Sequence, residues 1–368
     1  MRRRSSTGEC LKMPDPKEER RPSPVSPRIP LGEIRTILVV RNDNIGDVLC
    51  TTPALRALRK AFPHAHIAIL VNAYSEEAIR GNPDVDEVFV YTKYKHKKEE
   101  GRLGTWWRML QMFRRIWARR FDLAFGMRAG FTRSHGWLVY ASRARYRVGY
   151  APPPGDPFRF FLTHAIPPDP APRHEVERCL DLLHAVGVPA ESGPLVFYPR
   201  SSDEEEADRF FSAAALNGRD PVVALQPGSR LSLNRWPPER FAALADRLAR
   251  QGRRVLLIQA PGEGESVRRI MERITAPLLS YAPTSLGSLG AFLKRCALVV
   301  CCDGGAMHLA AAVGVPTVAL FGATDPRVWG PWGAGHRVVR RGERVEDLTV
   351  DEVWHAVVGL LEKAGVRR

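Results

Sequence analysis

The sequence has no uninterrupted run approaching the ~20 apolar residues that a membrane-spanning helix requires, although 44% of its 368 residues are hydrophobic. The N-terminus holds arginines with no apolar segment behind them, so no secretory leader is expected and the chain reads as cytoplasmic. Cysteine is scarce: Cys10, Cys50, Cys179, Cys296, Cys301 and Cys302 show neither CxxC spacing nor a regular framework. They read as reduced core thiols, not as a disulfide scaffold or a zinc site. No carboxylate and histidine cluster has metal-ligand spacing. Asp84 and Asp86 do form a D-x-D, but they precede the strand-like VFVY, whereas a metal-binding D-x-D follows a strand; they read as a loop leading into one. Neither a metal nor a cofactor is expected.

Acid is in deficit as well. The 55 Lys and Arg exceed the 40 Asp and Glu, giving a formal charge of +15, which calls for an anionic partner. Between Lys93 and Arg147 fifteen basic residues face only Glu99, Glu100 and Asp122, a local excess of twelve. No zinc-finger, RNP or other nucleic-acid motif accompanies this charge, so nucleic acid is not expected and a phosphorylated lipid surface is the other candidate. Within the segment, TWWRMLQMFRRIWARR (Thr105 to Arg120) has helical spacing, with Trp106, Met109, Leu110, Phe113, Ile116 and Trp117 on one side and arginines on the other. It reads as a core-packed helix with a solvated basic face, and its Trp and Arg content also suits a membrane interface.

What is present is an α/β pattern. Residues 1–33 are polar, basic and dense in proline, which predicts a disordered tail and leaves Met1 and Met13 both open as starts. From Arg35 the chain reads TILVVR, then NDNIGD, then VLCTTPALRALRKAF, then HIAILVN: strand, turn, helix and strand, the opening of a doubly wound unit. Asp47, after Gly46, reads either as a helix N-cap or as a carboxylate at a strand's carboxyl end, free to accept a proton. HEVERCLDLLHAV (174–186) reads as a helix closed by Gly187 and Pro189. Residues 201–220 read as the interdomain connection with a short helix, and a second unit begins at PVVALQPGS (221–229).

The densest stretch is ALVVCCDGGAMHLAAAVGVPTVALFG, 297–322. Ala297 to Cys302 is short and apolar, as a strand buried on both faces must be. Gly304 and Gly305 then remove two Cβ atoms where the next helix begins, so its N–H groups can approach an anion closely. His308 falls in the first helical turn, where its ring could donate to a phosphate oxygen, and Gly314 and Pro316 close the helix. Asp303 alone could be a cap, and His308 alone a satisfied surface histidine. Together at the end of a strand they point to an anion site.

The run DGGAMHLAAAVGVPTVALFGATDPRVWGPWG closely resembles the signature of glycosyltransferase family 9, the ADP-heptose:lipopolysaccharide heptosyltransferases, and Arg41 to Leu55 matches the family's N-terminal motif R-x-D-x-I-G-D-V-L-x-x-x-P-A-L. The resemblance covers roughly 35–333 and implies a GT-B type fold: two doubly wound, Rossmann-like α/β domains facing across a cleft. The divisions it suggests are an acceptor-binding domain at 34–200, a linker at 201–220, a nucleotide-sugar-binding domain at 221–350 and a terminal helix at 351–368 that crosses back to the first domain. It implies an inverting, metal-independent glycosyltransferase using ADP-heptose, with Asp47 as catalytic base. On the donor side it implies Ser229, Arg230, Asn234, Arg235, Glu263, Asp303, Gly304, Gly305 and His308; Arg133 and Arg147 are expected to meet an anionic glycolipid acceptor at the inner membrane. Two positions depart from the pattern. Gly304 replaces a Thr or Ser, and Asn234 replaces a Lys that would meet the donor phosphates, so that either Arg230 or Arg235 supplies that charge or the handling of the donor is altered. Another nucleotide sugar, or a non-catalytic protein binding anionic lipid or nucleic acid, remain as rival readings.

Overall fold

A computed structural model describes residues 28–91, 101–216 and 221–363. Residues 1–27, Lys93, Lys95, Lys97 and Lys98 lie outside the described residues. Two six-stranded parallel sheets form the scaffold. The first contains β1 (Thr36–Arg41), β2 (His66–Asn72), β3 (Glu87–Tyr91), β4 (Leu123–Gly126), β5 (Tyr146–Tyr150) and β6 (His164–Ile166); the second contains β7 (Val222–Gln226), β8 (Arg254–Ile258), β9 (Leu279–Tyr281), β10 (Leu298–Cys302), β11 (Thr317–Phe321) and β12 (Arg337–Arg340). Their spatial orders are β3-β2-β1-β4-β5-β6 and β12-β11-β10-β7-β8-β9, the same winding twice. In each the order reverses between the first and fourth strands, and the crevice outside their carboxyl ends is where open parallel sheets bind ligands. The central strands are apolar along their length because both faces are covered: β7, β10 and β11 are buried at every residue, as a parallel sheet between helix layers requires.

The helices are α1 (Ile45–Ala61), α2 (Gly101–Arg119), α3 (Arg133–Ala141), α4 (Glu175–His184), α5 (Ser201–Ala213), α6 (Pro238–Arg250), α7 (Gly264–Met271), α8 (Leu286–Lys294), α9 (Gly305–Ala312), α10 (Pro326–Trp329) and α11 (Val350–Lys363). One apolar cluster runs without interruption from the inner face of the first sheet through Leu49, Leu55 and Leu183 to Met307, Leu309 and Phe292 on the inner face of the second. The outer faces carry separate clusters. The two halves therefore meet through packed side chains, with α1 against both α4 and α9.

The short helix expected in the connection is α5, which docks on α8: Phe210 and Phe211 pack against Phe292, and Glu204 pairs with Lys294 and Arg295. Two stretches differ from their sequence reading. Helix α11 does not cross back to the first half; it packs on α6 and on β10, β11 and β12, because Val353, Val357 and Leu361 complete the outer cluster of the second sheet. In α2, Met112, Phe113 and Ile116 are buried while Trp106 and Trp107 are about half exposed, at 53% and 55%, so the aromatic side expected to pack inward is split.

Candidate active site

Both switch points open into one cavity of about 860 Å³, lined by the turns after β1, β4, β7 and β10. The two halves touch at its floor, where α1 and α9 meet end to end. A Cβ placed on Gly46 would lie 2.5 Å from Cδ2 of His308, and one on Gly305 would lie 3.6 Å from Cβ of Ile45. Gly46 is thus required by close approach, since a larger residue would push His308 out of place.

Asp47 is the third residue of α1, not its N-cap; Asn44 holds that position. Asp47 Oδ2 accepts from the backbone N–H of Asn44 at 3.1 Å and from Asn44 Nδ2 at 3.0 Å. Its Oδ1 accepts from Arg41 Nη2 at 2.8 Å. Oδ2 is used twice by the cap, Oδ1 is used once by Arg41, and Asp47 lines the cavity. Arg41, at the carboxyl end of β1, is fully buried. Burial opposes its charge, but Glu175, Asp47 and Asp43 around it prevail and hold its pKa above the ordinary value.

On the other wall, the turn after β7 is built around Glu263. Its carboxylate accepts from Gln226 Nε2 at 3.1 and 3.2 Å and from the Ala260 N–H at 3.1 Å. It occupies the volume a side chain at residue 228 would need, since a Cβ there would fall 1.3 Å from Oε1. Burial raises the Glu263 pKa, against the opposing pull of the Ala260 and Gln226 hydrogen bonds and Arg235. The Ser229 hydroxyl donates to the Asp303 carbonyl at 2.7 Å; it ties two turns together, so its proton is not available to a ligand. Arg235 Nε donates to the Ser229 carbonyl at 2.7 Å, and Arg230 reaches across to Asn44 Oδ1 at 3.1 Å.

Asn234 is buried, with Nδ2 2.9 Å from Asp303 Oδ2 and 3.3 Å from Thr324 Oγ1. The amide therefore meets the carboxylate from the position where the family pattern has a cation. Burial raises the Asp303 pKa, a Thr324 hydrogen bond opposing it. Beyond it the extended Gly304 and then Gly305 open α9 toward the cavity. At Gly304 a Cβ would meet only Ser229 Oγ, at 3.8 Å, so space does not dictate glycine there. His308 is not a surface residue: it is 4% exposed, lies 3.6 Å through Nδ1 from Cys50 Sγ, and burial, reinforced by His174, lowers its pKa to about 4. It lines the cleft as a neutral imidazole.

Asp47, Ser229, Arg230, Asn234, Arg235, Glu263, Asp303, Gly304, Gly305 and His308 all line this cavity. Arg133 and Arg147 do not. Arg147 instead donates to the carbonyls of Phe161 and Ala144 at 2.9 and 2.8 Å, and Arg133 sits 4.8 Å over the Phe158 ring. Four charged residues of the cleft wall were not singled out in the sequence: Arg41, Glu77, Arg128, which pairs with Asp43, and Glu175. Only Arg41 carried a signal, as the first residue of the N-terminal motif. Among the described residues no group of three His, Cys, Asp or Glu could hold a metal ion.

Twofold winding around a shared cleft, with two parallel doubly wound sheets opening onto one cavity, defines an α/β architecture of the GT-B type. The model of glycosyltransferase family 9 (heptosyltransferase) matches residues 109–352, and the chain belongs to that family. It is 26% identical over 298 residues to lipopolysaccharide heptosyltransferase 3 of Escherichia coli, covering 78% of this chain and 83% of that one. It is 24% identical to lipopolysaccharide heptosyltransferase 2 of Salmonella typhimurium, covering 90% and 99%. Among solved structures, a family 9 glycosyltransferase from Veillonella parvula superposes with a TM-score of 0.80 at 26% identity, covering 89% of this chain and 97% of that one. Escherichia coli heptosyltransferase WaaC with ADP shares the fold, with a TM-score of 0.72 at 21% identity and coverage of 89% and 99%. The chain is a glycosyltransferase of GT-B architecture.

Proposed function

We propose that this enzyme transfers a heptose from ADP-heptose to a hydroxyl of a lipopolysaccharide core acceptor, with inversion. The observation that carries the reading is that Asp47, whose Oδ1 accepts a single hydrogen bond, lines the same cavity as the start of α9. Asp47 takes the proton of the acceptor hydroxyl as that oxygen bonds to the anomeric carbon. On the opposite side the bond from that carbon to the ADP oxygen breaks, and its electron pair leaves with the diphosphate. Arg230, Arg235 and the N–H groups that open α9 receive the charge. Glu263 binds the nucleotide ribose, Asn234 and Gly304 shape the phosphate site, and Ser229 acts by holding the Asp303 turn. Heptosyl transfer to lipopolysaccharide in the relatives' names, and ADP in the WaaC structure's, support the choice of sugar and nucleotide.

The acceptor is anionic and membrane-borne in this reading, and the first half offers a surface for it. Trp137, Tyr140 and Phe160 are exposed beside Arg133, Arg143 and Arg145, and Trp106 and Trp107 extend the aromatic character along α2. No described helix is long and apolar enough to cross a membrane, so contact would be peripheral and salt-sensitive, ~1 kcal/mol per basic residue near an anionic surface. A donor panel tests the main proposal: product mass spectrometry of core acceptors incubated with ADP-heptose or UDP sugars should show heptose addition from ADP-heptose alone. Preferred transfer from a UDP sugar would overturn it.

A further inference from the structure

The mechanism above leaves one fully buried acid without a role. Glu175 is 0% exposed, yet it opens α4 in a position where an acid serving only the helix dipole stands in water. Its Oε1 accepts from Arg41 Nη2 at 2.7 Å. That same nitrogen donates to Asp47 Oδ1 at 2.8 Å. Two carboxylates from α1 and α4 thus divide the two protons of a single guanidinium nitrogen. Behind them Arg41 Nη1 lies against Cys179 Sγ at 4.0 Å, and Arg41 Nε is 3.5 Å from Asp43 Oδ2. Asp43 is in turn paired with Arg128.

We propose that Glu175 is a positioning residue for Asp47, acting through Arg41. This rests on Asp47 being the base. A guanidinium presents a planar fork that matches a carboxylate bidentately. Left to Asp47 alone, Arg41 would close on both of its oxygens and compete with Asn44 for Oδ2. Glu175 blocks that by occupying the second proton of Nη2. Asp47 then keeps a one-point contact with Arg41, its two-point contact with Asn44, and one oxygen that accepts only a single hydrogen bond. The groups facing Asp47 are accounted for: Arg41 from β1, Asn44 from its own turn, Glu175 from α4, Arg230 through Asn44, and the neutral His308 from α9.

The test is a double-mutant cycle on the full-length enzyme with ADP-heptose and core acceptor. Glu175→Gln should lower kcat by about ten- to a hundredfold, as an ångström-scale misplacement of a catalytic group does, while KM for ADP-heptose changes little; the thermal unfolding midpoint falls because the buried Arg41 loses a counter-charge, so kcat is measured well below it. In an Asp47→Asn background the same substitution should produce no further loss, because its effect passes through Asp47. If Glu175→Gln does not fold, Glu175→Asp, which keeps the charge but retracts it from Nη2, carries the test with the same expectation. Normal kcat in the Glu175 variant, or a full additional loss in the Asp47→Asn background, overturns the proposal. An active Asp47→Asn single variant would instead refute Asp47 as base, and a wild type inactive with ADP-heptose would refute the donor assignment, so the three failures are distinct.

Discussion

Replacing Gly228 by Ala would test the donor wall through Glu263, without mutating any residue that is itself proposed to contact the donor. The new methyl would be placed 1.3 Å from Glu263 Oε1, 1.8 Å from Cδ and 2.4 Å from Oε2, so the carboxylate must leave. It would lose its hydrogen bonds from Gln226 Nε2 and the Ala260 N–H. Because the cavity gives it a route to water, the cost in stability is partly offset, leaving ~1–3 kcal/mol. Function should suffer more specifically. If Glu263 accepts from the nucleotide ribose, losing a hydrogen bond to a charged group removes ~1.5–3 kcal/mol of donor binding, or about ten- to a hundredfold in Kd. Calorimetric titration with ADP reads this directly. The control is Glu263→Ala, in whose background Gly228→Ala should cost nothing further, since the clash is gone. Wild-type ADP affinity in Gly228→Ala, or equal losses in both backgrounds, would refute the placement of Glu263 against the donor.

Other consequences follow from the same wall. Asn234→Lys would set an ammonium against Asp303 and the diphosphate, and ADP should bind about tenfold more tightly, ~1.4 kcal/mol; unchanged or weaker binding would mean that Arg230 and Arg235 already satisfy the phosphates. His308 titrates near 4 when folded and 6.5 when unfolded, so below pH 6.5 the unfolded chain binds the extra proton and stability falls as pH drops toward 4. The loss across that window is on the order of 3 kcal/mol. Urea denaturation of His308→Gln should show a flatter pH dependence than wild type between 4 and 6.5; identical curves would mean that His308 is not the group responsible.

The two doubly wound units could be read from the chain because each strand is a short apolar run and each functional turn carries Gly or Asp where backbone must approach a ligand. The stretch from β10 through β11 is the clearest case: strand, Gly-Gly turn, alanine-rich helix and strand all fall where the residue types require. Glu175 was not legible, because an acid in a helix's first turn has a sufficient local explanation, and its partner Arg41 is 134 positions away. The partner of the Ser229 hydroxyl was not legible for a related reason. A hydroxyl in a turn is equally suited to a ligand or to a neighbouring carbonyl, and only the approach of the Asp303 turn decides between them. Arg147 was expected at the acceptor because charge is visible in sequence, whereas the carbonyls that receive it belong to turns whose proximity is set by the tertiary fold.

The account stands most directly on Asp47→Asn, measured for ADP-heptose affinity and for turnover in the same preparation. The amide preserves volume and one capping oxygen but cannot accept the proton, so donor affinity should remain within about threefold of wild type while kcat falls by roughly 10²–10⁴. Turnover near the wild-type value would contradict the account, leaving Asp47 as a helix-capping residue and the base to be sought elsewhere in the cleft.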